Sequence, residues 1–339
     1  MTHTALIALG ANLGDRQSQL ERGLERLGRE PGVRVLRRSA WYETSPVGGP
    51  TGQQPFLNGA ALLETSLTPQ DLLAAMFRVE QSLGRTRDER WAARTLDLDL
   101  LLFDDWTLQT KLLRLPHPRM AYRRFVLEPA AEVAPEMIHP TIGWTLARLL
   151  THLNSALPYV AIAGPPGSGK SHLAQALLAG SLGWLIAEPT PEPADLGTRL
   201  DRWAKTLDTE HWPQVRATAV SDFWFDQLLV SAALESSPDE WESFHSRWQA
   251  ARARVATPKL TLVLDAPAAQ LAERWQAQTH LTTSAEPLDH DALEEWLERQ
   301  RAALVAYAVG PGLGPVLTLD AGEETVMLAE AQAAIEAMQ

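Results

Sequence analysis

Apolar and polar residues alternate at two different periods along this chain, and each change of period marks an element. Residues 5–9, ALIAL, form an unbroken apolar run of strand length. A turn follows at residues 10–14. Asp15 then opens a helix to about Leu27, with Leu20, Leu24 and Leu27 on one face, and Pro31-Gly32 ends it. Residues 33–43 alternate at the strand period, and residues 44–54 form a polar loop rich in Pro and Gly. FLNGAALLET predicts a third strand, with Phe56 and Asn58 on one face. Thr68-Pro69 opens a helix to about Leu83. After a basic loop from Arg85 comes RTLDLDLLLF. Its charged and apolar residues alternate, so Asp97 and Asp99 share one face while Leu96, Leu98 and Leu100 share the other. This order predicts an α+β sandwich of antiparallel strands covered by helices, of the ferredoxin-like kind.

The pattern changes after residues 151–158. YVAIAG is an apolar strand running into GPPGSGKS and then the helical HLAQALLAG. Further apolar strands end at Glu188-Pro189, at Asp222, at LVLDAP and at LTLDA, with a long helix over 291–307. Strands alternating with helices predict a parallel sheet wrapped on both faces. The chain therefore reads as two domains, residues 1–157 and 158–339, the second an α/β domain.

Composition narrows the classes. A net charge of −12 argues against general nucleic-acid binding. The absence of cysteine removes disulfides, thiolate zinc sites and thiol nucleophiles. No apolar run is long enough for a bilayer, and no basic segment followed by an apolar one opens the chain. The expectation is a cytoplasmic protein with small-molecule substrates and neither membrane nor nucleic-acid partners. A homodimer through the second domain is compatible with that reading. The twelve Trp residues read mainly as packing.

Two carboxylates at i and i+2 on a strand can hold one or two Mg²⁺ against phosphate oxygens. An edge strand with two solvated Asp residues has the same pattern, and the neighbouring motifs decide between them. GANLGD, the TSPVG loop, FLN, the RxRxxxRW segment, RTLDLD, and LPHPRM with RRF together resemble 6-hydroxymethyl-7,8-dihydropterin pyrophosphokinase over roughly residues 4–153. The resemblance implies transfer of pyrophosphate from ATP to the pterin hydroxymethyl group, with release of AMP. It implies that Asp97 and Asp99 hold Mg²⁺, that Arg85, Arg87, Arg94 and Arg123 surround the phosphates, and that His117 contacts them. Trp91 would pack over the site and Glu80 would lie near the nucleotide. Phe56 and Phe125 would sandwich the pterin, Asn58 would read its edge, and Thr44 with the backbone near Val47 would complete the pocket. A non-catalytic pterin-binding domain is the alternative.

In the second half, strand–GxxxxGKS–helix is the context of a phosphate-binding loop. Gly164, Gly167, Ser168, Gly169 and Lys170 would cradle phosphates, and Ser171 would ligate Mg²⁺. This half resembles the deoxynucleoside kinases and their thymidylate kinase relatives. That implies an acceptor-orienting role for Glu188, a metal or phosphate role for Asp222 and a lid role for Arg274, with ATP as co-substrate. Two features depart from the family: Phe223 stands where Arg is usual, and the lid offers only Arg274. A nucleoside monophosphate kinase, or a degenerate nucleotide-binding domain with a structural or regulatory role, are the alternatives.

Overall fold

The computed structural model describes residues 1–50, 52–84, 94–155, 157–179, 183–189, 195–213, 217–282 and 289–339. These form two compact units, residues 1–154 with 332–339, and residues 155–331.

The first unit contains β1 (His3–Ala11), α1 (Arg16–Gly28), β2 (Val33–Arg38), β3 (Tyr42–Thr44), β4 (Phe56–Thr65), α2 (Pro69–Ser82) and β5 (Asp97–Phe103). A small hairpin of β6 (Leu108–Gln109) and β7 (Arg114–Leu115) follows, then α3 (Arg124–Val133) and α4 (Leu146–Ser155). The main sheet is antiparallel in the order β2-β4-β1-β5, with β3 also paired to β4. Asp15 caps α1 by accepting from Ser18 N, and Thr68 caps α2 by accepting from Asp71 N, as the helix-start signals predict. Leu20, Leu24 and Leu27 of α1 and Leu72, Met76 and Val79 of α2 form one core with Ile7, Leu9, Leu63, Leu98 and Leu100 of the sheet. Strand alternation then turns Gly10, Phe56, Asn58, Asp97 and Asp99 to the opposite face.

The alternating stretch over 33–43 forms two strands rather than one. At the break, Ser39 N still donates to Ala60 O at 2.9 Å, but Ala60 N donates to Ser39 Oγ at 3.0 Å in place of a backbone carbonyl, and that hydroxyl donates to Ala40 O at 2.7 Å. The Glu132 carboxylate then takes Ala40 N and the Tyr42 hydroxyl.

The last eight residues belong to the first unit, although the sequence pattern places them with the second. Arg124 N donates to Ala337 O at 2.8 Å, and its guanidinium donates to Met338 O. Nothing in the apolar pattern of this tail distinguishes it from the helix that precedes it.

The second unit contains β8 (Tyr159–Ala163), α5 (Lys170–Leu178), β9 (Trp184–Ile186), α6 (Leu196–Thr206), β10 (Ala219–Ser221), α7 (Gln227–Glu235), α8 (Pro238–Arg252), β11 (Leu260–Asp265), α9 (Ala268–Thr282), α10 (His290–Ala308), β12 (Val316–Asp320) and the first part of α11 (Glu324–Glu336), whose residues from 332 on are counted with the first unit. Its sheet is parallel throughout, in the order β12-β11-β8-β10-β9. β8 and β11 are buried along almost their whole length, which is why they read as continuous apolar runs. Trp203 and Trp224 are buried in the core, and Trp184, Trp212, Trp241 and Trp248 pack around it, so much of the Trp content is packing. Among the described residues no helix is long and apolar enough to cross a membrane.

Candidate active sites

Strand register brings the first site together. Gly10 of β1 pairs with Asn58 of β4 on one side and with Asp97 of β5 on the other. Neighbouring strands lie about 4.8 Å apart, so Asn58 and Asp97 are about 10 Å apart across one row. Gly10 keeps that row open, because a Cβ there would come within 3.1 Å of Asn58 Oδ1 and 4.0 Å of the Phe56 ring. Asn58 is held by its Nδ2, which donates to Thr44 Oγ1 at 2.7 Å. Phe56, Phe125, Thr44 and Val47 are half-buried.

Asp97 and Asp99 are half-buried on the same face, and Asp97 is ion-paired with Arg94. Arg94 is fixed in turn by Asn12, which is 2% exposed. Asn12 Oδ1 accepts Arg94 N at 2.7 Å, Asn12 N donates to Arg94 O at 3.0 Å, and Asn12 Nδ2 donates to Gln53 Oε1 and Gln54 O. Glu80, 1% exposed, accepts Leu98 N at 2.8 Å and braces the strand between the two aspartates.

β5 carries a register shift opposite Leu6 and Ile7 that leaves Leu101 out of the pairing. The Leu101 carbonyl accepts His117 N at 2.8 Å and so anchors the LPHPRM loop. His117 Nδ1 accepts Arg119 N at 3.3 Å. Burial, with Arg123 and Arg119 close by, lowers its pKa to about 3. The imidazole is therefore neutral near pH 7, and with Nδ1 accepting, Nε2 carries the proton and is a donor. Arg123 lies 5.5 Å over the Phe125 ring and within electrostatic reach of Asp97 and Asp99, while burial lowers its pKa. Two hard carboxylates facing a cluster of cations form a donor set suited to Mg²⁺ and phosphate oxygens together. Arg85, Arg87 and Trp91 lie outside the described residues.

In the second unit, residues 164–169 connect β8 to α5, which starts at Lys170, the strand–loop–helix context that the phosphate-loop motif requires. Lys170 Nζ donates to Gly164 O at 2.9 Å and Pro165 O at 3.3 Å. A Cβ on Gly167 would sit 2.5 Å from Leu271 O, and its φ of +78° is left-handed, so only Gly fits. Ser168 is 1% exposed, and its Oγ is without a hydrogen-bond partner among the described residues. A buried hydroxyl left unpaired costs about 1–3 kcal/mol, which an anion in the loop would offset. Gln227, at the start of α7, holds both sides of Gly164: its Oε1 accepts the N–H at 3.2 Å and its Nε2 donates to the carbonyl at 3.0 Å.

Glu188 and Asp222 stand just past the C-terminal ends of β9 and β10, and Asp222 Oδ1 accepts Glu188 N at 2.7 Å. Burial raises the pKa of Glu188, against the opposing charges of Lys170 and Arg199. Ser171 is exposed on the first turn of α5, and Asp222 is buried. Arg274 donates to Ala321 O at 2.9 Å, beyond the end of β12. Phe223 is 1% exposed and packs on Trp203, so β10 supplies no cation at that position.

The family model for 7,8-dihydro-6-hydroxymethylpterin-pyrophosphokinase matches residues 6–135. A relative from Synechocystis sp., 2-amino-4-hydroxy-6-hydroxymethyldihydropteridine pyrophosphokinase, is 40% identical over 152 residues, covering 45% of this chain and 77% of the relative. This chain belongs to that pyrophosphokinase family. The Bacillus subtilis enzyme of the same name is 45% identical over 137 residues, 40% of this chain and 81% of its own length. The Pseudomonas aeruginosa enzyme is 40% identical over 168 residues, half of this chain and all of its own. Among solved structures, a deoxyadenosine kinase from M. mycoides covers 52% of this chain and 96% of its own, at 13% identity and a TM-score of 0.40. At that score, the reading of the second unit rests on its own loop and strand ends.

Within the pyrophosphokinase unit, sequence reasoning assigned no role to Asn12 or Arg119. Asn12 lies in the GANLGD motif, and an Asn there reads equally as a turn former. Its role in holding Arg94 appears only once residues 82 apart meet. In the second unit, Gln227 and Arg199 had no sequence signal.

His139 is a second buried histidine of this unit, 6% exposed, and burial lowers its pKa to about 4. The unfolded value is about 6.5, so between those values the unfolded chain binds the extra proton, and stability falls as pH falls through 6.5. Between pH 7.5 and pH 5 this group should cost about 2 kcal/mol. In urea titrations, His139→Asn, which keeps an acceptor for Ile142 N, should flatten that part of the pH dependence. Equal pH slopes for both proteins would refute the assignment.

Proposed function

We propose that the first unit, with a boundary near residue 157, transfers pyrophosphate from ATP to the hydroxymethyl group of 6-hydroxymethyl-7,8-dihydropterin and releases AMP. The observation that carries this reading is the cross-strand row Asn58–Gly10–Asp97, which sets an amide and a carboxylate pair on the sheet face away from the α1/α2 core. With β2 and β3 counted as one interrupted strand, the order is βαββαβ, and with the strand sequence β2-β4-β1-β5 it supports a ferredoxin-like sandwich as the frame. Phe56 and Phe125 stack the flat pterin, while Asn58 and Thr44 read its polar edge. Neutral His117 donates from Nε2 to a phosphate oxygen without adding charge. Arg94 and Arg123, with Arg85 and Arg87, follow the negative charge as it moves to the leaving AMP. Asp97 and Asp99 would hold Mg²⁺, which when bound neutralises phosphate charge and lowers the pKa of a coordinated hydroxyl.

AMP release from ATP should depend on the added pterin, fall to background with excess EDTA and return with Mg²⁺. Pterin-independent release, or full activity in EDTA, would count against the assignment.

For the second unit we propose ATP-dependent phosphoryl transfer to a deoxynucleoside-type acceptor. Lys170, Ser168 and the loop glycines bind the phosphates, Ser171 and Asp222 would hold Mg²⁺, and Glu188 orients the acceptor. Arg274 would be the lid cation toward the nucleotide, and its guanidinium donates to Ala321 O in the structure. The unpaired Ser168 hydroxyl is the observation that supports an anion in this loop.

A further inference from the structure

We propose that residues 332–339 are a positioning element of the pterin site: they cap the helix that carries Phe125 and hold the loop that carries Val47. The proposal rests on the pyrophosphokinase reading of the first unit and adds to its site a segment remote in sequence.

Helix α3 takes its cap from this segment. The first N–H groups of a helix have no partner within it, and a Ser, Thr, Asp or Asn at the N-cap usually accepts from one of them. Asp15 does so for α1 and Thr68 for α2. The N-cap of α3 is Arg123, whose side chain has no acceptor and makes no cap bond. Its guanidinium lies instead over the Phe125 ring and within electrostatic reach of Asp97 and Asp99. Ala337 O supplies the missing acceptor, taking Arg124 N at 2.8 Å. The Arg124 guanidinium extends the contact, donating to Met338 O at 3.3 Å and to Asn154 Oδ1 of α4. Arg124 stands between Arg123 and Phe125 in the chain, so these bonds fix the turn from which both site side chains extend.

The same segment reaches the loop after β3. Gly48 N, next to Val47, donates to Glu336 Oε2 at 3.3 Å. The far end of that loop is held separately: Asn12 Nδ2 donates to Gln54 O at 3.4 Å and Arg16 Nη1 to Pro55 O at 2.7 Å. Ala334, Ala337 and Met338 recur at helical spacing and are buried, which seats the segment, while Glu336 is exposed beside the loop.

The proposed pterin contacts therefore divide into two groups. Thr44, Phe56 and Asn58 are set by the sheet, where Thr44 pairs with Phe56 and Tyr42 with Asn58. Phe125 and Val47 lie next to Arg124 and Gly48, the two residues that residues 336–338 hold. Affinity falls when contact groups must be ordered at the moment of binding. Loss of the segment should thus weaken pterin binding, and leave the Asp97/Asp99 pair on β5 in place.

The test compares the full chain with a chain ending at Ile335 and with Glu336→Ala and Glu336→Gln. Pterin binding is measured by calorimetry with 6-hydroxymethyl-7,8-dihydropterin, Mg²⁺ and α,β-methylene-ATP, which cannot transfer pyrophosphate. KM values come from AMP release, and amide hydrogen exchange is followed in parallel. The shortened chain should bind pterin ten-fold or more weakly, with the KM for ATP within about three-fold. Exchange should quicken over residues 46–49 and 124–127 and stay slow over β1 and β5. Glu336→Ala should weaken pterin binding about three-fold, and Glu336→Gln, whose amide oxygen still accepts from Gly48 N, should restore it. Pterin affinity within two-fold of the full chain in the shortened protein would overturn the proposal. So would an equal rise of both KM values with faster exchange through β1 and β5, which marks general loosening of the fold. A full chain that binds pterin without forming AMP would remove the pyrophosphokinase reading, while the binding comparison would still decide the role of the segment.

Discussion

Asp97→Ala should lower pterin-dependent AMP release by several powers of ten while leaving the fold intact. Asp97 lies half-buried at the start of β5, on the face away from the apolar core, so truncation opens no cavity there. Its loss acts twice. One of the two carboxylates proposed to hold Mg²⁺ against the phosphates would be lost, and metal-borne charge stabilisation is worth several kcal/mol in such reactions. Arg94 also loses its ion-pair partner, although its backbone stays clamped by Asn12 on both the N–H and the carbonyl. At about 1.4 kcal/mol per factor of ten, a loss of 4 kcal/mol or more is about a thousand-fold. Asp99→Ala should behave similarly, since Asp99 shares the face. Wild-type turnover in a folded Asp97→Ala protein would remove the carboxylate pair from the mechanism.

Lys170→Ala should abolish ADP formation by the second unit, with a loss of at least a hundred-fold. In the proposed reading Lys170 would bring its charge to the phosphates; in the structure its Nζ ties Gly164 O to Pro165 O. Removing one fixed charge-stabilising donor from a preorganised site typically costs 10²–10³ in rate. Gln227 still holds Gly164 from both sides, so the loop should keep its path. AMP release by the first unit should not change, because Lys170 lies in the other unit. ADP formation that persists at the wild-type rate would place that activity elsewhere in the chain.

Much of this architecture could be read from residue order, and the failures have identifiable causes. Asp15, Thr68-Pro69 and the alternation in RTLDLDLLLF act through local backbone chemistry, so they were legible. The break at Ser39 was not, because it depends on a hydroxyl reaching Ala60 N on another strand. Leu101 reads as one more core leucine, yet its displaced carbonyl positions His117. Gln227 carries no motif, and its hold on both sides of Gly164 follows only when residues 63 apart meet in space. Glu80 illustrates the reverse case. A Glu on an amphipathic helix reads equally as a solvated residue, and its near-complete burial against Leu98 N shows that it braces the strand of the carboxylate pair. The C-terminal tail joins the first unit through backbone carbonyls, which sequence does not encode.

The most direct test of the account is to follow the two ends of the ATP triphosphate separately. The full chain would be incubated with Mg²⁺, 6-hydroxymethyl-7,8-dihydropterin and ATP labelled either at the α- or at the γ-phosphorus, and the products separated. Transfer of a pyrophosphate predicts γ-label on the pterin, α-label only in AMP, and two phosphorus atoms per pterin. Appearance of ADP with a singly phosphorylated pterin, or of label in free phosphate alone, would contradict it.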